Sequence, residues 1–219
     1  MVSGRPPIEG ERLAPRLYIV TPPVADAMSF AGSLEPVLEA GDVAALLLRS
    51  AVANAEEVRR HVETIAPLSR RRGTALLIEG MPELAARTLA DGTHLPDPSG
   101  LAAALRILKP ERIVGAGGLK TRHDAMVAGE AGADYVMFGE PDATGARPGL
   151  NAVLERVAWW AELFEPPCVG FAAHLDDVRR LVDAGADFVA AGELVWNDAG
   201  GPVCGLRTLA AALRTRETV

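Results

Sequence analysis

The chain has 219 residues, 49% of them hydrophobic, with a net charge of -7. That length builds one sizeable core or two small ones, and no break in composition divides it. The charge offers no basic footprint for nucleic acid or an anionic membrane, so small polar molecules are the expected partners.

Residues 1–14 are polar and proline-rich, with no apolar centre for a signal peptide, and read as a flexible tail before one domain at 15–219. From there, apolar or β-branched runs bounded by turn residues recur along the chain. They are RLYIVT (16–21), VAALLLR (43–49), TALLIEG (74–80), GTHLP (92–96), RIVGAGG (112–118), YVMFG (135–139), CVGFAA (168–173) and FVAAGEL (188–194). Amphipathic helical stretches separate them, including NAEEVRRHVETIAPLSRR, MPELAARTLA, RHDAMVAGEA, LNAVLERVAWWAELF and LDDVRRLVDA. Of Trp159 and Trp160 in the fourth of these, one is expected in the core and one partly exposed.

The chain also repeats itself. EAGADYVMFGE (130–140) returns as DAGADFVAAGE (183–193), with weaker copies at Glu39 and Leu89. In each strong copy a helix gives way to a strand, and Gly132 or Gly185 suits the left-handed cap after the last helical turn. Alternating strand and helix implies parallel strands joined by right-handed crossovers, and eight such units fit a closed (β/α)8 TIM barrel. A doubly wound open sheet is the competitor, disfavoured because no Gly-x-Gly-x-x-Gly follows the first strand.

In such a barrel the carboxyl ends of the strands form the working face. In chain order these ends supply Arg49, Glu79, His94 with Asp97, then Gly117, Gly118 and Lys120. The loop GEPDATGARPG adds Glu140, Asp142, Thr144 and Arg147, and His174 and Glu193 follow the last two strands. Any one of these reads as a solvated loop residue; together on one rim they read as a site for a charged ligand. Lys120 is one of only two lysines. The segment Gly117-Gly118-Leu119-Lys120 either presents amides and an ammonium to an anion or is a turn before Thr121 as N-cap. Cys168 and Cys204 lie far apart without neighbouring histidine pairs, so neither a zinc site nor a disulfide framework is expected, and the protein reads as cytoplasmic.

The motif order LYIVT, LLLR, LLIEG, ADGTHLPD, IVGAG, GADYVMFGEPDATGAR and GADFVAAGEL resembles the thiamine phosphate synthase and thiazole tautomerase superfamily of small barrels, from Leu17 to about Leu213. The resemblance implies coupling of an aminopyrimidine diphosphate to a thiazole phosphate with release of diphosphate, in thiamine biosynthesis. It also implies a magnesium cofactor and a small phosphorylated heterocyclic substrate. Carried over by position, Arg49, Thr144 and Arg147 are catalytic residues, and the turn after the fifth strand adds Lys120 to them. Substrate-binding positions are His94, Gly117, Gly118, Gly139, Ala172, Ala173, Gly192 and Glu193. The metal aspartates of the family pattern are displaced here. Glu79 and Asp97 stand one and two positions from them, and are expected to form a shifted magnesium site. Ala172-Ala173 and Glu193 depart from the family's phosphate-binding pattern, and a carboxylate there repels a phosphate dianion. A tautomerase-like isomerase and a non-catalytic ligand-binding barrel are the alternatives, and a homo-oligomer is left open.

Overall fold

Alternation along each strand sends successive side chains to opposite sides of one sheet, and here both sides are apolar. In the first strand, β1 (Arg16–Val20), Leu17 and Ile19 pack outward under the helices. Tyr18 and Val20 instead join an interior cluster with Leu47, Met137 and Phe171. The computed structural model describes residues 14–214, so the tail expected at 1–14 lies, except for Ala14, outside the described residues.

The remaining strands are β2 (Val43–Leu48), β3 (Ala75–Glu79), β4 (Gly92–Leu95), β5 (Ile113–Ala116), β6 (Tyr135–Phe138), β7 (Cys168–Phe171) and β8 (Phe188–Ala191). Each pairs in parallel with the next, and β1 pairs with β8, closing an eight-stranded barrel. Short strands suffice because they are buried on both faces. All four residues of β6 are buried, and full burial of each large apolar side chain stabilises by about 1.5–3 kcal/mol.

The outer ring comprises α1 (Ala27–Glu39), α2 (Ala55–Arg71), α3 (Pro82–Arg87), α4 (Leu101–Leu108), α5 (Arg122–Ala131), α6 (Leu150–Leu163), α7 (Leu175–Asp183), α8 (Glu193–Trp196) and α9 (Pro202–Arg214). Polar side chains start several of them. Asp26 accepts from the Met28 amide, Asn54 accepts from the Glu56 and Glu57 amides, and Thr121 and Asp124 form a reciprocal box. Gly132 closes α5 at φ 100°, the left-handed conformation read from the repeat. Trp160 is fully buried, its indole N–H donating to the Pro166 carbonyl at 2.7 Å, while Trp159 is half-buried.

The repeated aspartates have a further job. Asp91, Asp134 and Asp187, each just before or at the start of an even-numbered strand, accept the amides of Leu76, Val114 and Cys168 at 2.7, 2.7 and 2.8 Å. Their own amides donate back to the carbonyls of the same three residues. Each two-bond clasp pins one strand's register to its neighbour at the amino end of the barrel, opposite the working face.

One expected boundary moves. FVAAGEL does not stay extended to residue 194: β8 stops at Ala191, and Glu193 opens the short α8. Trp196 draws the chain inward there, its indole N–H donating to the Val20 carbonyl at 2.7 Å.

Candidate functional site

The carboxyl ends of the strands gather two groups of polar side chains. At the ends of β2 and β3, Arg49 Nε lies 3.1 Å from Glu79 Oε1, with side-chain exposures of 35% and 29%. Both continue the inward face that Leu47 and Leu77 occupy two residues earlier. The Arg49 amide donates to the Thr21 hydroxyl at 3.0 Å, tying this rim position back to β1.

The second group runs through the barrel interior. The hydroxyls of Tyr18 and Tyr135 are 2.9 Å apart, and the Tyr135 hydroxyl is 2.9 Å from His94 Nδ1. On the other side of the imidazole, Nε2 is 2.9 Å from Glu140 Oε2, and the Gly118 amide donates to Glu140 Oε1 at 2.6 Å. Burial pushes both phenols well above their usual range, so each remains a neutral hydroxyl. Two glycines on the inward face of β5 and its extension make room. A Cβ at Gly115 would fall 2.0 Å from the Tyr135 ring, and one at Gly117 only 1.7 Å from Glu140 Oε1.

Outside this relay lies an exposed rim. Asp97 caps a single 3-10 turn at Pro98–Gly100, accepting from the Ser99 amide at 2.7 Å. Asp142 takes the Thr144 amide at 2.8 Å, the Thr144 hydroxyl at 2.6 Å and the Ala146 amide at 3.0 Å, which shapes the loop after β6. Hydrogen bonds, from Ser99 to Asp97 and from Thr144 to Asp142, hold both carboxyls below their ordinary range, and the Lys120 ammonium adds to each effect. Arg147 lies 4.7 Å over the Phe171 ring at the mouth, and among the described residues it forms no ion pair with Glu193.

The backbone donors expected to approach a phosphate are largely engaged already. The Gly117 amide donates to the Leu95 carbonyl and the Ala172 amide to the Ala190 carbonyl, both at 2.8 Å. The Ala173 amide donates to buried Asp177 at 2.9 Å, and the Gly118 amide is the one held by Glu140. Gly139, at φ 90°, leaves Val153 room where a Cβ would come within 3.0 Å. Gly192 precedes α8, whose first residue is the exposed Glu193. Lys120 and Arg147 are the side-chain cations that this part of the face presents. A shallow cavity lined by Arg70, Thr74, Asp91 and Ile113 opens at the opposite, amino end, where it meets the register clasps rather than the polar network.

A family model described as thiamine monophosphate synthase matches residues 17–195. The chain belongs to that family. It is 40% identical to the thiamine-phosphate synthase of Rhodospirillum centenum over 202 residues, 91% of this chain and 98% of the relative. It is 37% identical to that of Hyphomonas neptunium over 204 residues, covering 90% and 92% of the two chains. In fold it is similar to the thiamine phosphate pyrophosphorylase of Pyrococcus furiosus, with a TM-score of 0.76 at 22% identity, covering 92% and 96%.

As a thiamine phosphate synthase-like barrel it differs at the metal end from what the sequence leads one to expect. Glu79 is engaged by Arg49, and Asp97 is engaged in capping. Among the described residues no group of three or more His, Cys, Asp or Glu could hold a metal ion. Magnesium asks for less than that, since it binds through one or two carboxylates together with substrate phosphate oxygens and water. Glu79 ends β3 and Asp97 follows β4, the neighbouring strand. Tyr18 and Tyr135 are the site residues that sequence reasoning passed over; Glu140 was read as a rim residue, but not its bonds to His94 and Gly118. No local pattern signals them, since the space at Gly115 and Gly117 serves side chains that lie elsewhere in the chain.

Proposed function

We propose that this protein couples an aminopyrimidine diphosphate to a thiazole phosphate, releasing diphosphate, as a thiamine phosphate synthase. The likeness to the Rhodospirillum centenum synthase, 40% identical along 91% of the chain, carries the reading. In the reaction the bond from the pyrimidine methylene to the diphosphate oxygen breaks, its electron pair leaving with the diphosphate. The thiazole nitrogen then supplies the pair for the new carbon–nitrogen bond. Arg49, Lys120 and Arg147 offset the growing charge on the departing group, and Thr144, its hydroxyl donating to Asp142, holds the shape of the loop that carries Arg147. Glu79 and Asp97 would hold magnesium, which when bound spreads that charge further. Gly117, Gly118, Gly139, Ala172, Ala173, Gly192 and Glu193 border the ligand, and His94 stands buried behind Glu140. The substrates are small phosphorylated heterocycles. The reaction belongs in the cytoplasm, a reading supported by two cysteines without a disulfide. No helix among the described residues is long and apolar enough to cross a membrane.

The test is detection of thiamine phosphate by mass after mixing the protein with both precursors and magnesium. Product is expected from the unaltered chain, with its magnesium dependence lost in Glu79→Ala and Asp97→Ala. Undiminished magnesium dependence in both variants removes these residues as ligands, and no product from the folded protein removes the synthase reading. The buried His94–Glu140 pair favours a second reading, an isomerase acting by proton transfer on a lone thiazole phosphate. Metal-independent isomerisation of that compound would replace the first reading with the second.

A further inference from the structure

Glu140 ends a chain of hydrogen bonds whose direction can be worked out atom by atom. The two phenols stay protonated, and a carboxylate only accepts. With a neutral imidazole, His94 donates from Nε2 to Glu140 and its Nδ1 accepts from Tyr135. The Tyr135 oxygen accepts in turn from Tyr18. Every donor in the series points toward the carboxylate, an arrangement in which successive bonds polarise one another.

The series also changes in accessibility along its length. His94 is fully buried, whereas the Glu140 side chain retains 13% exposure. Its carboxylate is the end that meets the barrel mouth, between the ends of β4, β5 and β6. One lone pair on each oxygen is taken, by the His94 ring and by the Gly118 amide. A carboxylate has about four such acceptor positions, so those remaining accept an N–H and repel a carbonyl.

Resting on the synthase reading, we infer that Glu140 is a specificity-determining residue that accepts a hydrogen bond from the exocyclic amine of the aminopyrimidine. The ring carries one in-plane amine, and the inferred pairing distinguishes it from a ring bearing hydrogen or oxygen at that position. The pairing also strengthens as the reaction proceeds. When the carbon–oxygen bond breaks, the amine lone pair feeds into the ring to stabilise the methylene cation, and the N–H becomes a better donor to Glu140. Tyr18, Tyr135 and His94 act through the carboxylate as positioning residues.

The experiment is calorimetric titration, with magnesium present, of aminopyrimidine diphosphate and of the analogue with hydrogen in place of the amine. The protein is the full chain and its Glu140→Gln variant. The unaltered protein is expected to prefer the amine by roughly ten- to a hundredfold, the effect of a hydrogen bond to a charged group. Glu140→Gln should bring that ratio close to unity. A merely structural Glu140 would weaken both ligands together and keep the ratio, and that result overturns the inference while leaving the synthase reading intact. No binding of aminopyrimidine diphosphate by the unaltered protein overturns both. Should Glu140→Gln not fold, the unaltered protein decides alone, because equal affinity for the two ligands excludes recognition of the amine.

Discussion

A methyl group at position 117 would meet Glu140 Oε1 at 1.7 Å and His94 Nε2 at 2.6 Å, whereas one at position 115 would meet the Tyr135 ring at 2.0 Å. Both clashes involve buried rings held by hydrogen bonds: Tyr135 between Tyr18 and His94, and His94 between Tyr135 and Glu140. Gly115→Ala should therefore destabilise by about 1–3 kcal/mol, as overpacked cores do. Gly117→Ala should cost a similar amount and also separate Glu140 from His94. Urea unfolding checks this, and an unchanged midpoint in either variant would contradict it. The sequence disclosed Gly117 as a turn former or anion donor and Gly115 only as part of a strand. Their use as clearance for side chains from another strand depends on a packing partner about twenty residues away, and no local pattern announces that.

Among the elements, the alternation of apolar runs and amphipathic stretches was enough to place all eight strands, because each is an obligatory apolar segment between polar helices. The end of β8 was misplaced for a physical reason. Leu194 and Val195 look like continuing strand, yet the Trp196 indole N–H bonds to the Val20 carbonyl and turns the chain into α8. The GAD repeats read correctly as glycine caps, while the aspartate beside each glycine went unexplained until its bond to a neighbouring strand was visible. That bond gives a prediction for the register clasps. Asp134 accepts the Val114 amide and also pairs with Lys109 on a partly exposed surface. Lys109→Ala removes only the ion pair and should cost at most about 1 kcal/mol. Asp134→Ala also deprives a buried strand of its amide partner and should cost about 1–3 kcal/mol. Chemical denaturation of the two variants measures the gap.

For the molecule as a whole, acid is the expected weakness. Among the described residues, hydrogen bonds hold four aspartate carboxyls below their usual range: from Arg16 at Asp42, Ser99 at Asp97, Thr121 at Asp124 and Thr144 at Asp142. Their folded pKa values lie below the ordinary 3.8, so the unfolded chain binds more protons as pH falls through that region. The stability they contribute is complete above the ordinary value and is lost as pH drops through the depressed ones. Unfolding midpoints should be level near neutrality and decline below 3.8; a decline on the alkaline side alone would contradict this assignment. At this scale the closed barrel and its rim of charges were legible in the sequence. The polar line through its centre was not, since Tyr18 and Tyr135 sit in strands that read as uniformly apolar. That line also couples two positions far apart in the chain: a side chain at 117 and the carboxylate of Glu140 claim the same space, so a substitution at one is read out in the placement of the other.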